Sequence, residues 1–155
     1  MSSERKYSKS QARILIHKYC AYQERSHNQV RSKLFEYGLY PDWVEELIVE
    51  LIQGNFVNEE RFARAFVRGK FRIKKWGRNK IKQALYPHKL SAYVLKKAFS
   101  EIDEQEYQRV LEEVIAKKAS TVKLKNQFDR NGKIAQYAIS RGFESDMVWE
   151  LVKAL

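Results

Sequence analysis

The sequence predicts an all-α protein, built as a tandem array of three three-helix repeats that form an elongated, curved molecule. Its 155 residues include only six Gly and two Pro, which is sparse for an all-β protein that needs a turn about every ten residues. Apolar residues recur at helical spacing, and no alternating strand pattern competes. An internal repeat indicates units that bury their faces against one another, which favours an array over a sphere.

The repeat emerges when the chain is aligned with itself. At an offset of 51 residues, apolar positions of the first unit land on apolar positions of the second. At an offset of 104 they land on the third, and Gly38 lands on Gly142. The first-unit positions are Val30, Leu34, Leu39, Trp43, Val44, Ile48 and Leu51. The predicted units are residues 1–55, a strongly basic second unit at 56–102, and residues 103–155.

Capping signals predict the helices of the first unit. A Ser followed three residues later by Gln has the spacing of a capping box. This pattern occurs at Ser8 with Gln11 and at Ser26 with Gln29. Gly38 provides a left-handed residue that can end the second helix, and Pro41 suits the first turn of the third.

The first helix has apolar residues on one face and the chain's single cysteine beside it. Leu15, Tyr19 and Tyr22 follow at helical spacing, so we expect them to form the buried face. Cys20 cannot form an internal disulfide and has apolar neighbours. It is therefore predicted to be a small core residue in a reducing compartment.

The later units show the same kind of boundary signals. Asn58 precedes Glu59 and Glu60, which suit the positive end of a helix. The other predicted boundaries are Gly77 or Asn79 at the start of the middle helix, Pro87 at its end, Ser91 before the last helix, and Asp103 with Glu106 at the start of the third unit. Gly142 and Phe143 repeat the stop found at Gly38.

The chain carries a formal net charge of +11, and residues 61–100 hold thirteen Lys and Arg with no Asp or Glu. Such a segment projects a positive field unless acids from elsewhere fold against it. Its densest part supplies the predicted partner- or nucleic-acid-binding residues: Arg68, Lys70, Arg72, Lys74, Lys75, Arg78, Lys80 and Lys82. The alternative is a basic helix surface that only provides solubility.

Two further expectations accompany this segment. We expect Lys74, Lys75 and Arg78 to be solvated, and Lys117 and Lys118, outside the segment, to contribute much less to binding. Trp76 precedes a predicted helix start, so it has two interpretations: a hydrophobic staple or a base-stacking residue.

Catalytic or metal-binding patterns are weak. His17, His27 and His88 lie far apart, so no metal-ligand pair is predicted. Gly132 and Lys133 lack the remaining residues of a phosphate-binding loop. Glu45, Glu46 and Glu50 could hold a divalent ion, but a solvated helix face fits their positions better. No apolar run approaches the length of a membrane span. We expect a cytoplasmic, non-enzymatic protein without a cofactor, a metal or a membrane partner.

Four motifs, in order along the chain, resemble the bacterial RecX regulatory family. They are Tyr22-Gln-Glu-Arg-Ser26 before Val30-Arg-Ser-Lys-Leu34, then Gly54-Asn-Phe-Val-Asn-Glu-Glu-Arg-Phe-Ala63, then Trp76-Gly-Arg-Asn-Lys-Ile81, and Ser140-Arg-Gly-Phe143. The second and third are the most specific. The segment from Tyr86 to Leu90 departs from the Lys-Gly-Ile type of turn common in relatives.

We expect the chain to be a monomer, and the resemblance implies a non-enzymatic modulator of the RecA recombinase. Such a protein binds in the helical groove of the RecA–DNA filament, inhibits ATP hydrolysis and strand exchange, and restrains recombination and the SOS response. The resemblance implies that basic residues of the acid-free run from Arg61 to Lys97 face that groove. Some relatives also bind DNA directly, so weak binding to single- or double-stranded DNA is expected as well. The alternative function is a sequence-independent DNA-binding helical repeat that acts without a recombinase partner.

Overall fold

A computed structural model describes residues 6–155, and this part of the chain contains nine α-helices, one short 3-10 helix and no strand. The helices are α1 (Lys9–Tyr22), α2 (His27–Glu36), α3 (Pro41–Gln53), α4 (Glu59–Arg72), α5 (Arg78–Leu85), the 3-10 helix (Tyr86–His88), α6 (Ala92–Phe99), α7 (Glu104–Ala119), α8 (Gln127–Ser140) and α9 (Ser145–Lys153). The all-α prediction is confirmed.

The predicted caps form as local hydrogen bonds. The Ser8 hydroxyl accepts from the Gln11 N–H while the Gln11 side chain accepts from the Ser8 N–H, and Ser26 with Gln29 makes the same pair. The helix caps at later starts are Asn58, Gly77, Ser91 and Asp103. Gly77 is therefore the correct choice of the two starts predicted for α5.

The repeat is visible in the backbone at three equivalent positions. Gly38, Lys89 and Gly142 have φ angles of 82°, 53° and 102°. Each follows the end of a middle helix, and the spacings are the 51 and 104 residues of the sequence repeat. Lys89 therefore provides the left-handed turn that glycine provides in the other units, after the 3-10 helix that contains Pro87.

The buried face of α1 differs from the expectation. Ala12, Ile16 and Cys20 are buried, whereas Tyr22 is 83% exposed. Leu15 and Tyr19 pack only partly against the core. Two neighbouring rows of side chains on α1 have the same helical spacing. The row with the smaller side chains faces α2 and α3, so the prediction that Tyr22 is buried was wrong. Burial raises the pKa of the Cys20 thiol, as expected for a core cysteine.

The apolar side chains form two separate cores. The first lies among α1, α2 and α3 and extends to Val57. The second runs without interruption from α4 to α9 and includes Phe71, Leu85, Tyr107 and Phe143. The second and third groups of three helices therefore share one core, whereas the first group has its own.

The middle helices of successive units meet end to end. At the first junction, between the first and second units, the Asn28 side-chain amide donates to the Pro87 carbonyl at 2.8 Å. At the second junction, between the second and third units, the Gly77 and Asn79 N–H groups donate to the Arg141 and Gly142 carbonyls at 2.8 and 2.9 Å. At each junction, donors at the start of one middle helix bind carbonyl groups at the end of the middle helix of the next unit.

Candidate basic binding surface

The arginines of α4 are neutralised by acids from elsewhere in the chain. Arg64 and Arg68 both bind the Glu101 carboxylate, at 3.0 and 3.1 Å. Arg72 lies 3.5 Å from Glu106, and Arg61 binds Glu24 at 2.7 Å. Hydrogen bonding from Arg64 is the main cause that lowers the pKa of Glu101. Much of the positive field expected from residues 61–100 is therefore balanced locally.

Arg78 is not solvated, and the expectation that it would be was wrong. Its side chain is 18% exposed and its guanidinium forms ion pairs with Glu104 and with Glu144, the latter at 2.7 Å. The guanidinium carbon also lies 3.9 Å from the centre of the Tyr107 ring. Arg78 occupies the first position of α5, which faces the start of α7 and the turn between α8 and α9. Its charge therefore joins the second and third units.

A partly buried polar network surrounds this joint. The Tyr107 hydroxyl donates to the Glu144 carboxylate and accepts from the Arg78 N–H. Burial, together with the bond to Glu144, raises the pKa of Tyr107 well above its ordinary value. Burial also acts to raise the pKa of Glu144, but the hydrogen bonds from Tyr107 and Arg78 outweigh it and lower that pKa. The network is satisfied within the protein and holds the junction together.

Four lysines remain available for a partner. Within residues 6–155, no carboxylate lies within 4.0 Å of the amines of Lys70, Lys74, Lys80 or Lys82. The amines of Lys70 and Lys80 lie 4.9 and 4.6 Å from the centre of the Trp76 ring. Trp76 is partly buried and packs against the second core, which favours its structural interpretation.

A basic cleft opens where the ends of α4, α7 and α8 converge. It has a volume of about 510 Å³. Its lining combines five cationic side chains, one carboxylate and an apolar wall: Lys74, Lys75, Lys117, Lys118 and Arg141; Glu113; and Ile73, Val114 and Tyr137. Lys117 and Lys118, which sequence reasoning placed outside the binding segment, thus lie beside Lys74 and Lys75.

A finer charge count points to these third-unit cations. Residues 101–155 hold ten acids and nine bases, so this region is nearly neutral only on average. Residues 101–113 hold six acids and one base, whereas residues 114–143 hold seven bases and one acid. The acidic part pairs with α4, and the basic part contributes Lys117, Lys118 and Arg141 to the basic cleft.

The three glutamates of α3 form ion pairs and no metal site. Glu45 binds Arg31 at 2.8 Å, Glu50 binds Arg13 at 3.2 Å, and Glu46 pairs with Lys9. The hydrogen bond from Arg31 lowers the pKa of Glu45. Residues 6–155 contain no group of three or more His, Cys, Asp or Glu side chains that could hold a metal ion. No helix in the same range is long and apolar enough to span a membrane.

Two segments of the chain match domain models of a known family. Residues 58–98 match the second three-helix domain of RecX, and residues 104–152 match the third. The chain is 28% identical over 133 residues to the regulatory protein RecX of Clostridium perfringens strain 13, which covers 84% of this chain and 62% of the relative. The RecX of Streptococcus uberis has the same identity over 84% of this chain and 50% of its own length. The chain thus spans about half to three-fifths of these relatives.

Solved structures share the fold. The crystal structure of RecX from Lactobacillus salivarius superposes with a TM-score of 0.84 at 21% identity, over 95% of this chain and 96% of that one. A second structure, of a regulatory protein RecX, gives a TM-score of 0.83 at 20% identity over 95% of this chain and 72% of that one. Both have the architecture described above. The two domain matches and the curated relatives together show that this chain belongs to the RecX family of regulatory proteins.

Proposed function

We propose that this chain binds in the groove of the RecA–DNA filament and inhibits RecA ATPase, strand exchange and recombination. The observation that carries the proposal is the basic surface of the second unit, where Lys70, Lys74, Lys80 and Lys82 have no carboxylate partner within residues 6–155, and which the cleft cations of the third unit extend. The same two units match the RecX domain models. A polyanionic groove suits such a surface.

The proposed activity needs shape and charge but no catalytic group. An array of three units, divided at residues 1–55, 56–102 and 103–155, can contact neighbouring subunits of a filament. We propose a cytoplasmic, monomeric and non-enzymatic regulator that restrains the SOS response. Of the eight basic residues that the sequence singled out, Arg68, Arg72 and Arg78 contribute mainly to the fold in this proposal, because carboxylates hold them.

The alternative is a sequence-independent DNA-binding helical repeat that acts without a recombinase. The unpaired lysines favour it as well, because each phosphate contact releases counterions and strengthens binding at low salt. The two functions differ in concentration dependence. A filament inhibitor lowers recombinase ATPase below the concentration at which it coats DNA, whereas a DNA coat inhibits only as it covers the strand.

A titration of recombinase ATPase on single-stranded DNA tests the proposal. We expect inhibition well below the concentration that saturates naked DNA. The double variant Lys70→Ala/Lys80→Ala should lose most of this inhibition and keep its fold. The control, Lys18→Ala/Lys153→Ala, removes two charges from exposed lysines of α1 and α9, outside the run from Arg61 to Lys97, and should leave inhibition unchanged. Inhibition that appears only at DNA-coating concentrations would favour the alternative.

A further inference from the structure

We propose that the basic cleft is a nucleotide-binding site, with phosphate oxygens on its cations and a base against the wall formed by Ile73 and Tyr137. The nucleotide could be free in solution or part of a single strand, since both present the same chemistry. The inference rests on the proposed function, because a strand within the filament is one of these sources. Four features of the cleft support it.

The first feature is an excess of positive charge. Five cations face one carboxylate, Glu113. The cleft also lies at the C-terminal ends of three helices, each of which contributes about half a negative charge. The three helix ends offset about 1.5 of the four excess positive charges, so the cleft keeps a net charge of about +2.5. That excess suits a phosphate group of one to three negative charges.

The second feature is the position of Arg141. Its Nη2 donates to the Lys74 carbonyl, which holds the guanidinium across the second junction. Its Nε is buried and has no hydrogen-bond acceptor among the residues that the structure describes. Burial closes Nε to a ligand, but no residue that the structure describes accepts a hydrogen bond from Nη1, so this end of the guanidinium keeps N–H donors for a phosphate.

The third feature is the apolar wall. Ile73 is 78% exposed, although it is a large aliphatic residue. Tyr137 lies beside it in the cleft, and the Lys118 amine stands 4.7 Å from the centre of the Tyr137 ring. An inorganic anion would need no such wall, whereas a base stacks on a flat side chain. The volume of about 510 Å³ lies within the range of small-molecule sites, about 300–1,000 Å³.

The fourth feature is a weak internal counterion. The Glu113 carboxylate lies 3.7 Å from the Lys75 amine, and both side chains are well exposed. Such a pair contributes little to stability and is easily displaced. A bound phosphate would therefore compete with Glu113 for Lys75, and removal of the Glu113 charge should strengthen binding.

Fluorescence anisotropy of a labelled tetrathymidylate, with the full chain, tests the site. The variant Lys74→Ala/Lys118→Ala should weaken binding about tenfold or more through lost phosphate contacts. Lys18→Ala/Lys153→Ala, with the same charge change on exposed lysines of α1 and α9 outside the cleft lining, should weaken it by less than about twofold. Glu113→Gln should tighten binding, whereas Glu112→Gln, its neighbour outside the cleft lining, should not. Thermal melts confirm that each variant is folded.

Competition identifies the ligand chemistry and its source. If ADP displaces the oligonucleotide better than pyrophosphate does, the result supports the site and shows that a free nucleotide can occupy it. If neither competitor displaces it, a loss of oligonucleotide binding in Ile73→Ser supports the strand as the source. Pyrophosphate that competes as well as ADP would overturn the proposal, as would equal effects of the two lysine pairs. A cleft variant that binds no probe and still inhibits recombinase ATPase separates this site from the proposed function.

Discussion

The two junctions between units are built differently. At the first, side chains make the contacts: the Ser26 hydroxyl lies 2.7 Å from His88 Nδ1, and Glu24 binds Arg61. At the second, backbone N–H groups of Gly77 and Asn79 bind backbone carbonyls, and the apolar core continues across the boundary. Main-chain contacts and a shared core leave less freedom than polar side-chain contacts between separate cores.

This difference indicates where a repeat array is rigid. We expect the second and third units to unfold together, and the first unit to respond more independently. The basic cleft lies at the second junction, with residues from both units in its lining. A binding surface built on a rigid joint keeps its cations in place without a partner.

The largest expected effect comes from Gly142→Ala at the second junction. A Cβ at Gly142 would collide with the Lys80 backbone, and the φ angle of 102° disfavours any side chain. We expect the free energy of unfolding to fall by about 2–5 kcal/mol in a urea titration. The control is Gly132→Ala in α8, where a Cβ meets nothing within 4 Å and stability should rise by about 0.5–1 kcal/mol. Equal effects would mean that the junction is loosely packed.

Tyr107→Phe tests the polar network at the same junction. It removes the hydroxyl that donates to Glu144 and accepts from the Arg78 N–H. Because both partners would lose a partly buried hydrogen bond, we expect a loss of about 1–3 kcal/mol in chemical unfolding. Tyr86→Phe changes a tyrosine that is 85% exposed and should have no measurable effect. A neutral Tyr107→Phe would show that the network adds nothing to the joint.

The first junction should show a smaller, pH-dependent effect. Burial lowers the pKa of His88, and the Glu59 carboxylate only partly opposes it. The unfolded chain therefore binds a proton at a higher pH than the folded chain does. The free energy of unfolding therefore keeps its full value above the pKa of the unfolded histidine, about 6.5, and decreases as the pH falls below it. Urea titrations between pH 7.5 and 5 should show this slope, and His88→Gln should reduce it. An unchanged slope in the variant would assign the effect to another group.

Lys75→Gly should have the smallest effect on stability and separates binding from folding. Lys75 has a φ of 58°, a conformation that glycine adopts without strain. Loss of strain and loss of the exposed pair with Glu113 act in opposite directions, so stability should stay within about 1 kcal/mol of the wild type. Oligonucleotide binding should nevertheless weaken, because a cleft cation is gone. Unchanged binding would remove Lys75 from the proposed site.

Local interactions explain what the sequence alone determined. Capping boxes at Ser8 and Ser26 join atoms three residues apart, and the left-handed stops at Gly38 and Gly142 need only a glycine at the helix end, whereas the one at Lys89 was not predicted. Helical periodicity and the repeat likewise depend on short-range spacing. The fold class, the register of the repeats and the family motifs were therefore accessible without a structure.

Only the tertiary structure decided which charges remain available. Arg64 and Glu101 are 37 residues apart in sequence, and Arg78 and Glu144 are 66 apart, yet each pair is in contact. The same long-range packing brings Lys117 and Lys118 to Lys74 and Lys75, and buries Ile16 in place of Tyr22 on α1. A charge count along the chain averages over such partners, because an electrostatic field depends on distance in space.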